Sequence, residues 1–149
     1  MALNMKALIQ RVTEASVMIN NQKYSSIKHG LCVFVGIKKS DTELDVNYLV
    51  SKIIKLRIFS DEDNKLNNSI YDINGSILIV SQFTLYADCK KGNMPSFIDS
   101  AEKLIATPLY VLFVNLLKEK NIPTKTGVFG KDMKVNLIND GPVTIMIES

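Results

Sequence analysis

Ser76-Ile77-Leu78-Ile79-Val80-Ser81-Gln82-Phe83-Thr84-Leu85-Tyr86-Ala87 is the stretch around which the chain is organised. Ile77, Leu78, Ile79 and Val80 are apolar without alternation, which predicts a strand buried on both faces. Residues 76–87 are therefore read as the central strand. Its far end turns polar at Ser81 and Thr84 with no packing reason for hydroxyls, at the mouth of a sheet where sites often sit. Such a strand needs neighbours. Residues 31–37, after Gly30, are a second continuous apolar run of the same kind. Residues 6–13, 15–19 and 24–27 read as further strands, with Asn20-Asn21-Gln22-Lys23 as the turn of a hairpin.

Two helices complete the outline. Ser40-Asp41-Thr42-Glu43 has capping-box spacing, with Ser40 as N-cap and Glu43 reaching back. Leu44, Tyr48, Leu49, Lys52, Ile53 and Leu56 follow at helical intervals. Thr107-Pro108 is the pattern of an N-cap followed by proline at the first helical position. Leu109, Leu112, Phe113, Leu116 and Leu117 then form an apolar stripe that Pro123 ends. Between the helices, Arg57-Ile58-Phe59 reads as a short strand and residues 61–68 as a polar loop. Residues 70–73 fit strand or loop, and Asn74-Gly75 is a hairpin turn signal. Pro95-Ser96-Phe97 opens a short helix through Ala101. In the tail, Val135 and Leu137, then Val143, Ile145 and Ile147, alternate with polar residues as half-buried strands do. The expectation is one α+β domain over residues 1–149, with mixed and antiparallel sheets forming a barrel-like core and two main helices.

Composition narrows the function. The chain has 149 residues, enough for one domain with a real core. A net charge of +3 permits a nucleic-acid partner without demanding one. Lysines gather at Lys90-Lys91, Lys118, Lys120, Lys125, Lys131 and Lys134, as a solvated surface or a phosphate-contacting patch. No segment approaches the ~18 apolar residues of a membrane span and no signal peptide is evident, so a cytoplasmic protein is expected. Cys32, inside Leu31-Cys32-Val33, reads as a small buried hydrophobe. Cys89 lies beside Asp88, Lys90 and Lys91, where neighbouring lysines would favour a thiolate. His29 is the only histidine. With two separated cysteines it makes no ligand set for a metal, and no serine elbow, P-loop or dinucleotide fingerprint is present.

The remaining chemistry lies in hydroxyls and backbone groups. Ser81 and Thr84 either satisfy nearby backbone groups or belong to a site. A threonine without a base is a poor nucleophile. Backbone N–H groups near Gln82, Phe83 and Thr84 need only geometry to form an oxyanion hole. The second segment of interest is Asn139-Asp140-Gly141-Pro142-Val143-Thr144. Its plain reading is a turn between two strands. A cis bond at Gly141-Pro142 would instead aim consecutive carbonyls together, a grip for an ammonium group that uses no side chain.

Over essentially its whole length the sequence resembles the D-aminoacyl-tRNA deacylase family. The resemblance rests on Ala7-Leu8-Ile9-Gln10-Arg11-Val12, Arg57-Ile58-Phe59-Ser60-Asp61, the segment from Ser81 to Ala87, Gly92-Asn93 with Pro95-Ser96-Phe97, Thr126-Gly127 with Phe129, and the segment from Asn139 to Thr144. It implies a homodimer whose active sites lie at the subunit interface and a tRNA substrate carrying its amino acid at the 3′ end. It implies no metal and no organic cofactor. Gly141 and Pro142 would enter the partner's site and hold the α-amino group, so that a D side chain points to open space and an L side chain collides. Glycine, lacking a side chain, would also be accepted. Ser81, Gln82, Phe83 and Thr84 would hold the ester, with either Thr84 or the 2′-hydroxyl of the terminal adenosine assisting hydrolysis. Phe129 and Met133 would line the pocket, Ala101 would keep it open, and Arg11 and Asn139 would support the Gly-Pro segment. Phe83 marks the D-specific branch rather than a relative acting on misacylated L-alanine. Met94 departs from the family, which usually has arginine there. The alternative is a nucleic-acid-binding module on the same fold without catalysis.

Overall fold

The computed structural model describes residues 4–149. Residues 1–3, the start of the expected domain, lie outside that description. The elements in order are β1 (Lys6–Ile19), β2 (Gln22–Ile27), β3 (Gly30–Gly36), α1 (Glu43–Lys55), β4 (Phe59–Ser60), β5 (Leu66–Asn68), β6 (Ser76–Ser81), a 3-10 turn (Phe83–Tyr86), α2 (Lys103–Glu119), β7 (Thr124–Thr126) and β8 (Lys134–Glu148). The main sheet runs β2-β1-β3-β6-β7, with β8 also paired to β1. β3–β6 and β6–β7 are parallel, and the pairs that involve β1 are antiparallel. Ser25 Oγ in β2 donates to the Thr126 carbonyl in β7 at 2.7 Å. That bond ties opposite margins of the sheet and curls it nearly into a barrel, the α+β architecture expected.

β6 is buried on both faces, as its composition requires. Ile77 and Ile79 join Leu31, Val33 and Val35 in the core against the helices, while Leu78 and Val80 join Cys32, Val12 and Val17 on the other face. Burial pushes the Cys32 thiol up to about 12, so it stays protonated as an inert core group. The helices supply Val46, Leu49, Val50 and Ile53 from α1 and Phe113 and Leu117 from α2. Among the described residues no helix is long and apolar enough to cross a membrane.

Several local expectations are corrected. The central strand stops at Ser81, and residues 83–86 coil into the 3-10 turn instead of extending to Ala87. β1 is one strand of 14 residues rather than two. It bends at a bulge where Val12 pairs with Asn139 and Glu14 with Ile138, leaving exposed Thr13 unpaired. The α1 cap is Thr42, not Ser40, and Asp45, not Glu43, closes the box by accepting from Thr42 N–H at 2.8 Å. Both pairs have the same spacing, but Asp41 is buried and belongs to the preceding turn. Leu44 and Tyr48 are exposed, and the buried face of α1 runs instead through Val46, Leu49, Val50, Ile53 and Ile54.

α2 begins a turn earlier than Thr107-Pro108, and Pro108 sits inside it. The carbonyl freed by the missing Pro108 N–H is that of Leu104. Both residues are exposed, which leaves that carbonyl open to solvent. Residues 95–101 form no helix: Asp88 and Ser96 exchange backbone bonds at 2.8 and 2.9 Å, and the chain then makes a single turn in which Ser100 N–H bonds the Phe97 carbonyl at 3.1 Å. Residues 66–68 pair with β4 rather than looping. Asn74-Gly75 is a turn, with Gly75 N–H bonded to the Ile70 carbonyl, but it leads into the parallel strand β6 and not into a hairpin.

Candidate active site

A cavity of about 330 Å³ opens at the C-terminal ends of β3 and β6. Val35, Ile37 and Val80 make its apolar floor, and Ser81, Gln82 and Phe83 one wall. Ser100, Ala101 and Ala106, before and within the first turn of α2, make a second wall. Phe129 and Met133, between β7 and β8, and Val135, in β8, make a third, with Lys131 and Asp132 also lining it. Parallel pairing of Val35 with Ser81 brings the first two groups together. Of the residues singled out in the sequence, Ser81, Gln82, Phe83, Ala101, Phe129 and Met133 share this cavity. Thr84, Arg11, Asn139, Gly141 and Pro142 are not among its lining residues.

The Ser81–Thr84 segment is shaped by hydrogen bonds. Gln82 N–H is committed to the Val35 carbonyl at 2.8 Å, which removes it from the expected oxyanion donors. The N–H groups of Phe83 and Thr84 open the 3-10 turn, where the first donors of a helix have no partner within it. Thr84 is exposed, and its hydroxyl accepts from the Gln82 side-chain amide. His29 packs edge-on against Phe59, with ring centroids 5.4 Å apart, and does not line the cavity. Among the described residues no three His, Cys, Asp or Glu side chains cluster as metal ligands do.

Three supporting contacts were not legible in the sequence. Phe97 meets Phe83 in a T-shaped pair with centroids 5.1 Å apart, propping a ring that is 56% exposed. Tyr110 of α2 backs Phe129 at 5.7 Å and donates to the Ile79 carbonyl at 2.9 Å. Gly127 lets Met133 approach, since a Cβ there would lie 2.4 Å from the Met133 sulfur. Tyr110 lies outside the apolar stripe read from the sequence, and its burial, which makes the phenol need a hydrogen-bond partner, follows from the packing of α2.

Gly141-Pro142 is not a turn between strands. It is a bulge inside β8. Gln10 pairs with Thr144 and Val12 with Asn139, so Asp140, Gly141, Pro142 and Val143 all stand opposite Arg11 alone. Proline lacks an N–H, so a bulge is where a strand accommodates it. The Gly141-Pro142 bond is cis, Gly141 has φ +125°, and both residues are exposed. Arg11, only 7% exposed, spans the gap behind them. Its Nε donates to the Asp140 carbonyl at 3.1 Å and its Nη1 to the Ile58 carbonyl at 2.9 Å. Asn139 Oδ1 accepts from Val143 N–H at 3.0 Å, and Asn139 Nδ2 donates to Thr144 Oγ1 at 2.8 Å.

Comparison with known proteins gives a consistent result. A family model described as D-Tyr-tRNA(Tyr) deacylase matches residues 8–148. A D-aminoacyl-tRNA deacylase from Finegoldia magna is 57% identical over 145 residues, covering 97% of this chain and 98% of the relative. A solved structure named c-Myc DNA Unwinding Element Binding Protein superimposes with a TM-score of 0.91 at 42% identity, covering 97% of this chain and 98% of its own. A second, described as a structural analysis of a probable eukaryotic D-amino acid tRNA deacylase, shares the fold with a TM-score of 0.83 at 19% identity, covering 99% and 100%. With a family model and a closely similar relative both spanning nearly its full length, this chain belongs to the D-Tyr-tRNA(Tyr) deacylase family.

Proposed function

We propose that this chain, acting in the cytoplasm as a homodimer, hydrolyses the ester that joins a D-amino acid to the 3′ end of tRNA and rejects the L ester by shape. Two separate features of the chain, the cavity and the β8 bulge, carry the reading. One region of the chain offers a half-apolar chamber with a polar wall at Ser81–Phe83, and another offers an exposed Gly141-Pro142 braced from behind by Arg11. In the dimer, Gly141 and Pro142 of each subunit reach the partner's cavity and present their carbonyls to the α-ammonium group. With the ammonium and the ester both fixed, only one direction remains for the side chain. An L substituent meets protein, whereas hydrogen and D substituents do not, so glycine mischarged on alanine tRNA is a second substrate. Selectivity then comes from the clash built against the wrong hand.

The reaction is addition of water to the ester carbonyl and expulsion of the ribose 3′-oxygen, giving free amino acid and tRNA. The N–H groups of Phe83 and Thr84 would hold the oxyanion that forms on the carbonyl oxygen. Gln82 would serve by fixing the start of the turn through its N–H and by orienting Thr84. Thr84 has no basic side chain among its hydrogen-bond partners, which favours the 2′-hydroxyl of the terminal adenosine as the group assisting water. Phe129 and Met133 would flank the adenosine or the aminoacyl group, and Ala101 would leave the room a bulkier residue would take.

A second reading, a nucleic-acid binder without catalysis, draws on the 42%-identical solved relative, whose name is that of a DNA-binding protein. A pure binder has no use for the Gly141-Pro142 grip or the Ser81–Thr84 turn. Side-by-side hydrolysis of D-Tyr-tRNA and L-Tyr-tRNA without added metal separates the two. Release from the D ester alone is expected, and release from neither would favour the binder.

A further inference from the structure

Asp41 has no role in the site described above, yet its setting calls for one. It is 7% exposed, and its two oxygens are used unequally. Oδ2 accepts from Lys38 N–H at 2.6 Å, and the Asp41 N–H returns to the Lys38 carbonyl at 3.0 Å, so the residue locks the turn between β3 and α1. Oδ1 is buried without a hydrogen-bond partner. A buried acceptor left unsatisfied is destabilising and calls for a reason.

The turn that Asp41 locks is also what holds residues 99–101. Lys38 bridges to Ser100, Lys39 N–H donates to the Asp99 carbonyl at 3.2 Å, and the Ile37 carbonyl accepts from Ala101 N–H at 2.9 Å. Residues 97–102 belong to no helix or strand of their own, so these bonds place them. Ile37, Ser100 and Ala101 all line the cavity.

We propose that Asp41 is a positioning residue that fixes the Ser100-Ala101 wall through the Lys38–Lys39 turn, and so sets how large an amino-acid side chain the cavity admits. The inference rests on reading the cavity as the aminoacyl site. Only the Lys38 N–H bond is needed, so an amide in place of the carboxylate should serve.

The test compares Asp41→Ala with Asp41→Asn. Amide exchange at Lys39 and Ala101, followed by NMR at about pH 4 where the Asp41 carboxyl is neutral, should quicken about tenfold in Asp41→Ala as the turn loosens, and stay near wild type in Asp41→Asn. The ratio of kcat/KM for D-Tyr-tRNA to that for glycyl-tRNA should fall about tenfold in Asp41→Ala, because a displaced wall obstructs a large side chain and spares glycine. General loss of structure would lower both rates together. Should Asp41→Ala fail to fold, Asp41→Leu fills the buried volume without an acceptor and is read the same way. Unchanged exchange at Ala101, faster exchange with an unchanged ratio, or Asp41→Asn behaving like Asp41→Ala would each overturn the proposal. If the wild-type protein hydrolyses neither ester, the reading of the cavity fails, while the exchange data still report on the Asp41 link.

Discussion

Replacing Arg11 with methionine keeps most of the apolar stem and removes the guanidinium that connects β1 to the bulge of β8 and to Ile58. Two of its hydrogen bonds end on backbone carbonyls, at 2.9 and 3.1 Å, and one of them is buried. Hydrogen bonds from a charged donor contribute about 1.5–3 kcal/mol each. The ion pair from Nε to Asp140 Oδ2 spans 3.5 Å with Asp140 38% exposed. Solvent screening limits that pair to ~1 kcal/mol or less. One side chain makes all these contacts, so they are not additive, and a loss of about 4 kcal/mol is expected. At ~2–4 °C per kcal/mol for a chain of this size, melting should fall by about 10 °C. Asp140→Asn, which removes only the ion pair, should shift it by about a quarter of that or less. The guanidinium also packs against the bulge backbone, since a Cβ on Gly141 would lie 2.8 Å from Arg11 Nη2. Hydrolysis of D-Tyr-tRNA, measured well below both melting temperatures, should therefore drop at least about tenfold as Gly141-Pro142 loses its brace. A melting shift under ~2 °C would refute the stability reasoning. A full shift with unchanged hydrolysis would show that Arg11 serves the fold and not the grip.

Three further outcomes are expected. Ala101→Phe should abolish hydrolysis of the D ester while leaving the melting temperature within a few degrees, as read by single-turnover assay and thermal melt; full activity would show that this wall does not face the substrate. Thr84→Ala should retain much of its activity, because the hydroxyl is exposed and bonded only to the Gln82 amide; complete loss at unchanged tRNA binding would revive Thr84 as nucleophile. Asp41→Asn should change how stability depends on pH. Burial raises the Asp41 carboxyl from 3.8 to about 6, with Asp45 adding to the rise and the Lys38 N–H and ammonium opposing it. The group is neutral in both folded and unfolded states below 3.8, and its ionisation weakens the fold as pH rises through 6. The stability of Asp41→Asn relative to wild type should therefore grow between about pH 4 and pH 7, by up to ~3 kcal/mol at about 1.4 kcal/mol per unit. A flat difference in urea-unfolding free energies would exclude this.

The parts of the fold legible in the sequence were those set by local burial. Ile77, Leu78, Ile79 and Val80 have no polar alternative on either side, and both faces of β6 are buried accordingly. Asn20 and Asn21 both take positive φ at the β1–β2 turn, as that hairpin requires. Errors arose where two local patterns were equally good and tertiary context chose between them. Ser40 with Glu43 and Thr42 with Asp45 are the same cap at two offsets, and only the burial of Asp41 decides. Thr107-Pro108 is a good helix start, but Ala106 is buried beside the cavity, so the helix begins earlier and tolerates the proline on its wet side. Gly141-Pro142 reads locally as a turn because a bulge is defined by its partner strand, and nothing near residue 141 announces Arg11, far away in the first strand. The same holds for the cavity. Its lining comes from residues 35, 37, 80–83, 100–101, 106, 129–133 and 135, joined by the parallel β3–β6 pair and by backbone bonds from Ile37 and Lys39 to the segment before α2. No periodicity within any one of those segments encodes the others. Residues such as Ser100 and Tyr110 therefore become visible only with the topology. Ser81 was visible earlier because it interrupts a pattern that local burial had already fixed, and Phe83 only through the family resemblance.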